Sequence, residues 1–147
     1  MELNRTMTAT VYVLKDDKVL LHYHKKYNTL FPLGGHIQPN ELPDEAAVRE
    51  VYEESGLKVS LLHNDEKIEL GNVKQIHNPM YLLLENIGQT VENIDFIYFA
   101  TTEEDVLKPQ EGESTQFYWL SREEIINNKN IKQHIKEIAL KALDSIK

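Results

Sequence analysis

The most constraining stretch of this chain is residues 35–57, where Glu41, Asp44, Glu45, Glu50, Glu53 and Glu54 face a single base, Arg49. Pro43 suits a first helical turn, where its missing N–H costs no hydrogen bond. Asp44 and Glu45 complement the positive end of a helix dipole, and Gly56 can close the helix in the left-handed conformation. The pattern predicts a helix over 43–55. At about 100° per residue, Glu50, Glu53 and Glu54 share an arc of about 100°. Val48, Val51, Tyr52 and Ser55 fall on the other side and are expected to face the core. Ala46 and Ala47 fall on the carboxylate side, one turn earlier, where their small size leaves room for an approaching group.

Such a helix is electrostatically poor as a purely structural element. Like charges three and four residues apart repel by a few tenths of a kcal/mol per pair, that is about 0.2–0.5. Glu53 and Glu54 also sit in the last turn, where the dipole favours cations, and no lysine lies between Lys26 and Lys58. From the helix alone two readings stand. One is a solvated acidic face; the other is a site for a hard cation such as Mg²⁺, Mn²⁺ or Ca²⁺, which takes oxygen ligands.

The rest of the chain narrows the setting. Its 147 residues, 41% hydrophobic and 27% charged, suit one globular domain over 1–147. With no cysteine, disulfides, thiolate metal sites and a cysteine nucleophile are excluded. A net charge of −8 disfavours nonspecific nucleic-acid binding and anionic membrane surfaces, so neither is an expected partner. An anionic substrate would need added cationic charge, for which a divalent metal is the obvious source. The N-terminus has no apolar signal segment, and no apolar run approaches bilayer length. The expected location is the cytoplasm.

Hydrophobic alternation predicts strands over 6–14, 19–24, 58–62, 73–77, 80–85, 94–101 and 116–120. Loops are expected over 27–40, punctuated by Pro32, Gly34, Gly35 and Pro39, and over 103–115. Ser121 and Glu124 have capping-box spacing. Ile131, Ile135, Ile138, Ala142 and Ile146 give a final helix over 131–146 one apolar face. The whole reads as a mixed α/β chain.

The acidic stretch also carries a longer pattern. Gly35, five residues, Glu41, seven residues, and then Arg49-Glu50-Val51-Tyr52-Glu53-Glu54-Ser55-Gly56-Leu57 fill every fixed position of the Nudix hydrolase signature. The chain therefore resembles that family, whose members cleave nucleoside diphosphates linked to another group X. Two flanking positions depart from the common pattern: Pro32-Leu33 stands where many members have Leu-Pro, and Asn40 where many have Gly. The resemblance implies an α/β/α sandwich with a mixed sheet and a cofactor of Mg²⁺ or Mn²⁺. It makes Glu50, Glu53 and Glu54 metal ligands, with the Gly34 carbonyl as a further one. Arg49 would hold Glu53 in place, Glu41 would brace the loop–helix junction, and Gly35 and Gly56 would serve backbone geometry.

In the family a general base often lies on a loop before a late strand bearing Trp. Trp119 marks that strand here, which points to Glu113, with Glu111 second and Glu53 as a base within the signature itself. His22 and His24 share a face of one strand; they are expected as an exposed pair rather than metal ligands, although with Lys25 and Lys26 they could meet phosphates. His36 is expected to be structural. The implied substrate is a nucleoside triphosphate or modified nucleotide, with ADP-ribose or a nucleotide sugar as the alternative. A non-catalytic nucleotide sensor and a Ca²⁺-buffering domain are more remote readings. The resemblance also admits a homodimer.

Overall fold

The computed structural model describes residues 2–63, 66–113 and 116–146. Among these described residues eight strands form one mixed sheet: β1 (Asn4–Lys15), β2 (Lys18–His24), β3 (Thr29–Phe31), β4 (Leu33–His36), β5 (Ser60–Leu61), β6 (Tyr81–Asn86), β7 (Val91–Thr101) and β8 (Phe117–Ser121). Three helices accompany it: α1 (Pro43–Ser55), α2 (Arg122–Asn127) and α3 (Gln133–Asp144). The spine of the sheet is the parallel pair β1–β7, in register from Asn4↔Val91 to Leu14↔Thr101, and the other pairings are antiparallel.

Alternation along β1 sorts its side chains into two cores. Ala9, Val11 and Val13 pack with Leu20, Leu33 and Tyr98 against Ala46, Ala47 and Val51 of α1. Tyr12 and Leu14 pack with Leu21, Ile97 and Phe99 against Ile135, Ile138, Ala139 and Ala142 of α3. The result is the expected α/β/α layering. Among the described residues no helix is long and apolar enough to cross a membrane.

One feature of the sheet creates the cavity. The β1 edge opposite β7 has two partners: β2 pairs with Val13–Lys15 in the register Val13↔Leu20, while β4 pairs farther back in the register Val11↔Leu33. Strands β2 and β4 therefore part company along a shared edge. The gap between them opens through the sheet, from the α3 face toward the end of α1.

Several expectations are corrected. The loop at 27–40 contains β3 and β4, and the strand at 58–62 shrinks to Ser60–Leu61. Residues 73–77 form no strand, because nothing pairs with them in the sheet. The expected faces of α1 also change. Val51 and Ser55 are buried as predicted, but Val48 and Tyr52 are exposed, while Ala46 and Ala47 are fully buried. The alanines let α1 approach the sheet closely, so the helix face that carries Glu54 is an inner face.

Candidate active site

Helix α1 begins and ends as its sequence dictates. Pro43 opens it, and the Leu42 N–H donates to Glu45 Oε1 at 3.0 Å. Gly56 ends it at φ 78°, donating to the Tyr52 carbonyl at 2.8 Å. The last turn has no basic residue, so its free carbonyls need other donors. The 103–113 loop supplies them: Lys108 N–H donates to Ser55 O at 2.7 Å and Gln110 N–H to Glu53 O at 3.1 Å. A Cβ on Gly56 would lie 2.6 Å from the Lys108 carbonyl oxygen, so glycine there admits the loop. The same docking carries Glu113 to the carboxylates, where its charge raises the pKa of both Glu50 and Glu54.

Glu54 is buried at the gap between β2 and β4. Its Oε1 accepts from the Gly34 N–H at 2.7 Å. Burial pushes its pKa up to about 8; the Gly34 bond opposes this, and the charges of Glu50, Glu113 and Glu53 add to it. Burial likewise raises Glu50, with Arg49 opposing. Gly35 makes room for Glu50: a Cβ there would lie 2.5 Å from the Glu50 carboxyl carbon.

Arg49 links the acids. It bonds Glu41 through Nε–Oε2 at 2.7 Å and Nη2–Oε1 at 3.0 Å, and its Nη1 reaches Glu50 Oε1 at 2.8 Å and Glu53 Oε2 at 3.0 Å. Nη2 also donates to the His36 carbonyl at 3.1 Å. The main anchor of Arg49 is thus Glu41, which in turn accepts from the Gln38 N–H at 3.0 Å. Asn40, where glycine is common, adopts φ 66°, a left-handed conformation that asparagine tolerates. The loop shape is kept without the glycine.

His22 is buried rather than exposed. Its Nε2 lies 3.8 Å from Glu54 Oε2. This contact is not an ion pair at neutral pH, because burial, aided by His24, depresses His22 to about 4. The exposed His36 contributes its backbone carbonyl.

Glu54, Gly34, Gly35, His22 and Glu113 line one end of a cavity of about 1080 Å³. The rest is bounded by Thr8, Thr10, Asp95, Glu85 and α3, residues absent from the sequence expectations. The readable signal for them was polar alternation: Thr6, Thr8 and Thr10 on one strand and Asn93 and Asp95 on its partner. Tyr27 and Phe31 stack at 5.1 Å and also line the cavity.

The oxygen-only donor set, its burial and its mutual repulsion suit a hard divalent cation. Among the described residues no three His, Asp or Glu side chains converge on a single metal position. The Arg49 guanidinium holds Glu50 and Glu53 instead, so these two carboxylates would have to turn to join Glu54.

The layered fold and the acidic helix opening on a cavity define the class: an enzyme acting on pyrophosphate bonds. The NUDIX domain family matches residues 4–141, and the chain belongs to it. Members generally use divalent cations and act on small nucleotide substrates. A NUDIX-family hydrolase from Clostridium perfringens superimposes with a TM-score of 0.88 at 40% identity, covering 99% of this chain and 100% of that one. A MutT protein from Methanosarcina mazei Go1 shares the fold, with a TM-score of 0.74 at 15% identity over 100% of this chain and 99% of that one. Diphosphoinositol polyphosphate phosphohydrolases 3-alpha and 3-beta of Mus musculus are 48% identical over 48 residues. That match spans 32% of this chain and only 29% of those proteins.

Proposed function

We propose that this enzyme hydrolyses the pyrophosphate linkage of a nucleoside triphosphate or modified nucleotide, using Mg²⁺ or Mn²⁺. The observation that carries the reading is the cavity end itself: Glu54 is buried there and feels the charges of Glu50, Glu53 and Glu113. Burial and repulsion on this scale favour protonated carboxyls, and a divalent cation reverses that preference while attracting phosphate.

In this reading Glu50, Glu53, Glu54 and the Gly34 carbonyl would hold a divalent metal, which when bound would supply Lewis acidity toward water and positive charge toward phosphate oxygens. The Gly34 N–H fixes the orientation of Glu54, and Arg49, anchored by Glu41, holds Glu50 and Glu53. Glu113 is the general base; its carboxylate takes the proton from the attacking water, a role typically contributing about 10²–10⁴ in rate. Support for Glu113 comes from the loop amides that bind the end of α1.

A nucleotide panel with Mg²⁺, scored by phosphate and pyrophosphate release, tests the reading. Glu54→Gln should nearly abolish turnover while keeping the fold, and Glu113→Gln should lower kcat more than it raises KM. Wild-type turnover by Glu54→Gln refutes the ligand assignment. ADP-ribose and nucleotide sugars belong in the same panel.

A second reading has its own observation. Lys25, Lys26 and Lys132 line the cavity mouth and make no ion pair among the described residues; the Lys132 ammonium lies 4.8 Å from the Tyr27 ring centre. Such a rim, with the short similarity to diphosphoinositol polyphosphate phosphohydrolases, favours a polyphosphorylated X group. A diphosphoinositol polyphosphate in the panel decides between the two.

A further inference from the structure

Position 22 carries a residue that packing does not require. Alternation along β2 puts His22 on the same face as Leu20, which packs with Ala46, Ala47 and Val51 of α1. Strands flank it on both sides, with Phe31 of β3 and Phe117 of β8 directly opposite, and the residue is only 7% exposed. Valine or leucine would fill such a slot with no polar atom to satisfy. The imidazole instead keeps Nδ1 sealed from solvent without a hydrogen-bond partner, which is costly for a buried polar atom.

The ring is held in one orientation. It lies 6.0 Å from Phe117, 17° from parallel, and 6.4 Å from His24, nearly edge-on. Its Nε2 faces Glu54 Oε2 at 3.8 Å, too far for a hydrogen bond. The Gly34 N–H occupies Glu54 Oε1, so Oε2 is the oxygen left for a cation. Nε2 and Oε2 are close enough to share one ion, because metal–nitrogen and metal–oxygen bonds of about 2.1 Å span together up to about 4.2 Å. Glu50 and Glu53 are tied to Arg49 and must turn to reach that place, whereas His22 and Glu54 already meet there. Burial keeps the imidazole uncharged at neutral pH, with a lone pair to give.

We propose that His22 is a nitrogen ligand of the divalent-metal site, beside Glu54, and that it biases the site toward transition ions such as Co²⁺ and Zn²⁺ over Mg²⁺. Imidazole suits transition ions, whereas Mg²⁺ takes oxygen donors. The inference rests on the reading of Glu54 as a metal ligand, and it adds a donor from outside the acidic stretch.

Pulsed EPR of the metal-free protein loaded with Mn²⁺ tests the bond without turnover. Wild type should show modulation from a directly bound ¹⁴N, altered when the histidines carry ¹⁵N. His22→Phe should lose that signal, and His24→Phe should keep it. His22→Gln, which also removes the imidazole, serves if His22→Phe fails to fold. Calorimetry adds a second readout. Co²⁺ affinity should fall at least about tenfold in His22→Phe, since the loss of even an outer-shell partner costs about 10–100-fold. Mg²⁺ affinity should fall less than about threefold, because its oxygen donors remain. Bound Mn²⁺ without nitrogen modulation in wild type, modulation that persists without His22, or equal losses of Co²⁺ and Mg²⁺ affinity overturns the inference and leaves the carboxylate site standing. Failure of wild type to bind Mn²⁺ at all refutes the metal-dependent reading and the inference with it.

Discussion

Gly35→Ala separates the site from the fold. The residue has no positive φ, so alanine fits its backbone. The new Cβ would lie 2.5 Å from the Glu50 carboxyl carbon and 2.6–2.7 Å from its oxygens, against ordinary contact from 3.4 Å. Glu50 must therefore retreat by about 1 Å, which its flexible side chain can do at little cost to folding. Overpacking in a rigid core costs about 1–3 kcal/mol; here the stability loss should stay below about 1 kcal/mol, because the obstructing atoms are the far end of a flexible side chain whose partner, Arg49, keeps its bonds to Glu41. A misplacement of this size can cost about a hundredfold in rate, or about 2.7 kcal/mol of transition-state stabilisation. Thermal unfolding and Mg²⁺-dependent kcat/KM, measured on the same preparation, check both numbers. Wild-type kcat/KM in a normally folded Gly35→Ala protein would refute the idea that the Glu50 position matters.

Gly56→Ala should behave in the opposite way, losing about 2 kcal/mol or more in denaturant unfolding, because φ 78° and a backbone oxygen 2.6 Å from the new Cβ leave no escape. Glu41→Gln should cost about 1 kcal/mol, since the pair with Arg49 is partly exposed, at 22% and 13% of the two side chains. Arg49 holds Glu41 below its usual pKa, so this contribution is complete above the ordinary carboxylate range and is lost as pH falls through the lowered value; acid unfolding of Glu41→Gln should lack that component. Asp95 has the opposite sign. Burial first, then Glu85, raises its pKa, so the folded state keeps a proton that the unfolded chain releases, and stability falls as pH rises from the ordinary aspartate range through the raised value. Melting curves at pH 5 and pH 8 should show a smaller drop for Asp95→Asn. Chelation by EDTA should abolish hydrolysis and leave the melting temperature of the metal-free protein within a few degrees of wild type plus Mg²⁺.

The helix at 43–55 was legible to the residue because Pro43 and Gly56 act locally. The capping box is realised between Ser121 and Glu124, at 2.9 and 3.2 Å, for the same reason. What the sequence misled on depends on partners distant in the chain. Val48 and Tyr52 look like core residues by hydropathy, yet two alanines allow the tighter approach and take the sheet side. Residues 73–77 have strand composition but no neighbour to pair with. His22 became a buried neighbour of Glu54 only because β2 bends away from β1, and nothing near His22 in the sequence announces that. Glu113 was expected from its spacing to Trp119. Its delivery through amide contacts with Ser55 and Glu53 could not be read from residue types, because any non-proline residue supplies an N–H.

The forked edge of β1 has an evolutionary consequence. The chamber's aperture is set by where β2 and β4 diverge, and that point is governed by the short exposed connection through residues 25–28, which belongs neither to the acidic helix nor to either core. Lengthening or recomposing this connection would widen, narrow or recharge the entrance while leaving the carboxylates and both packed layers as they are. A lineage built on this frame can thus exchange one leaving group for another without rebuilding the machinery that cuts.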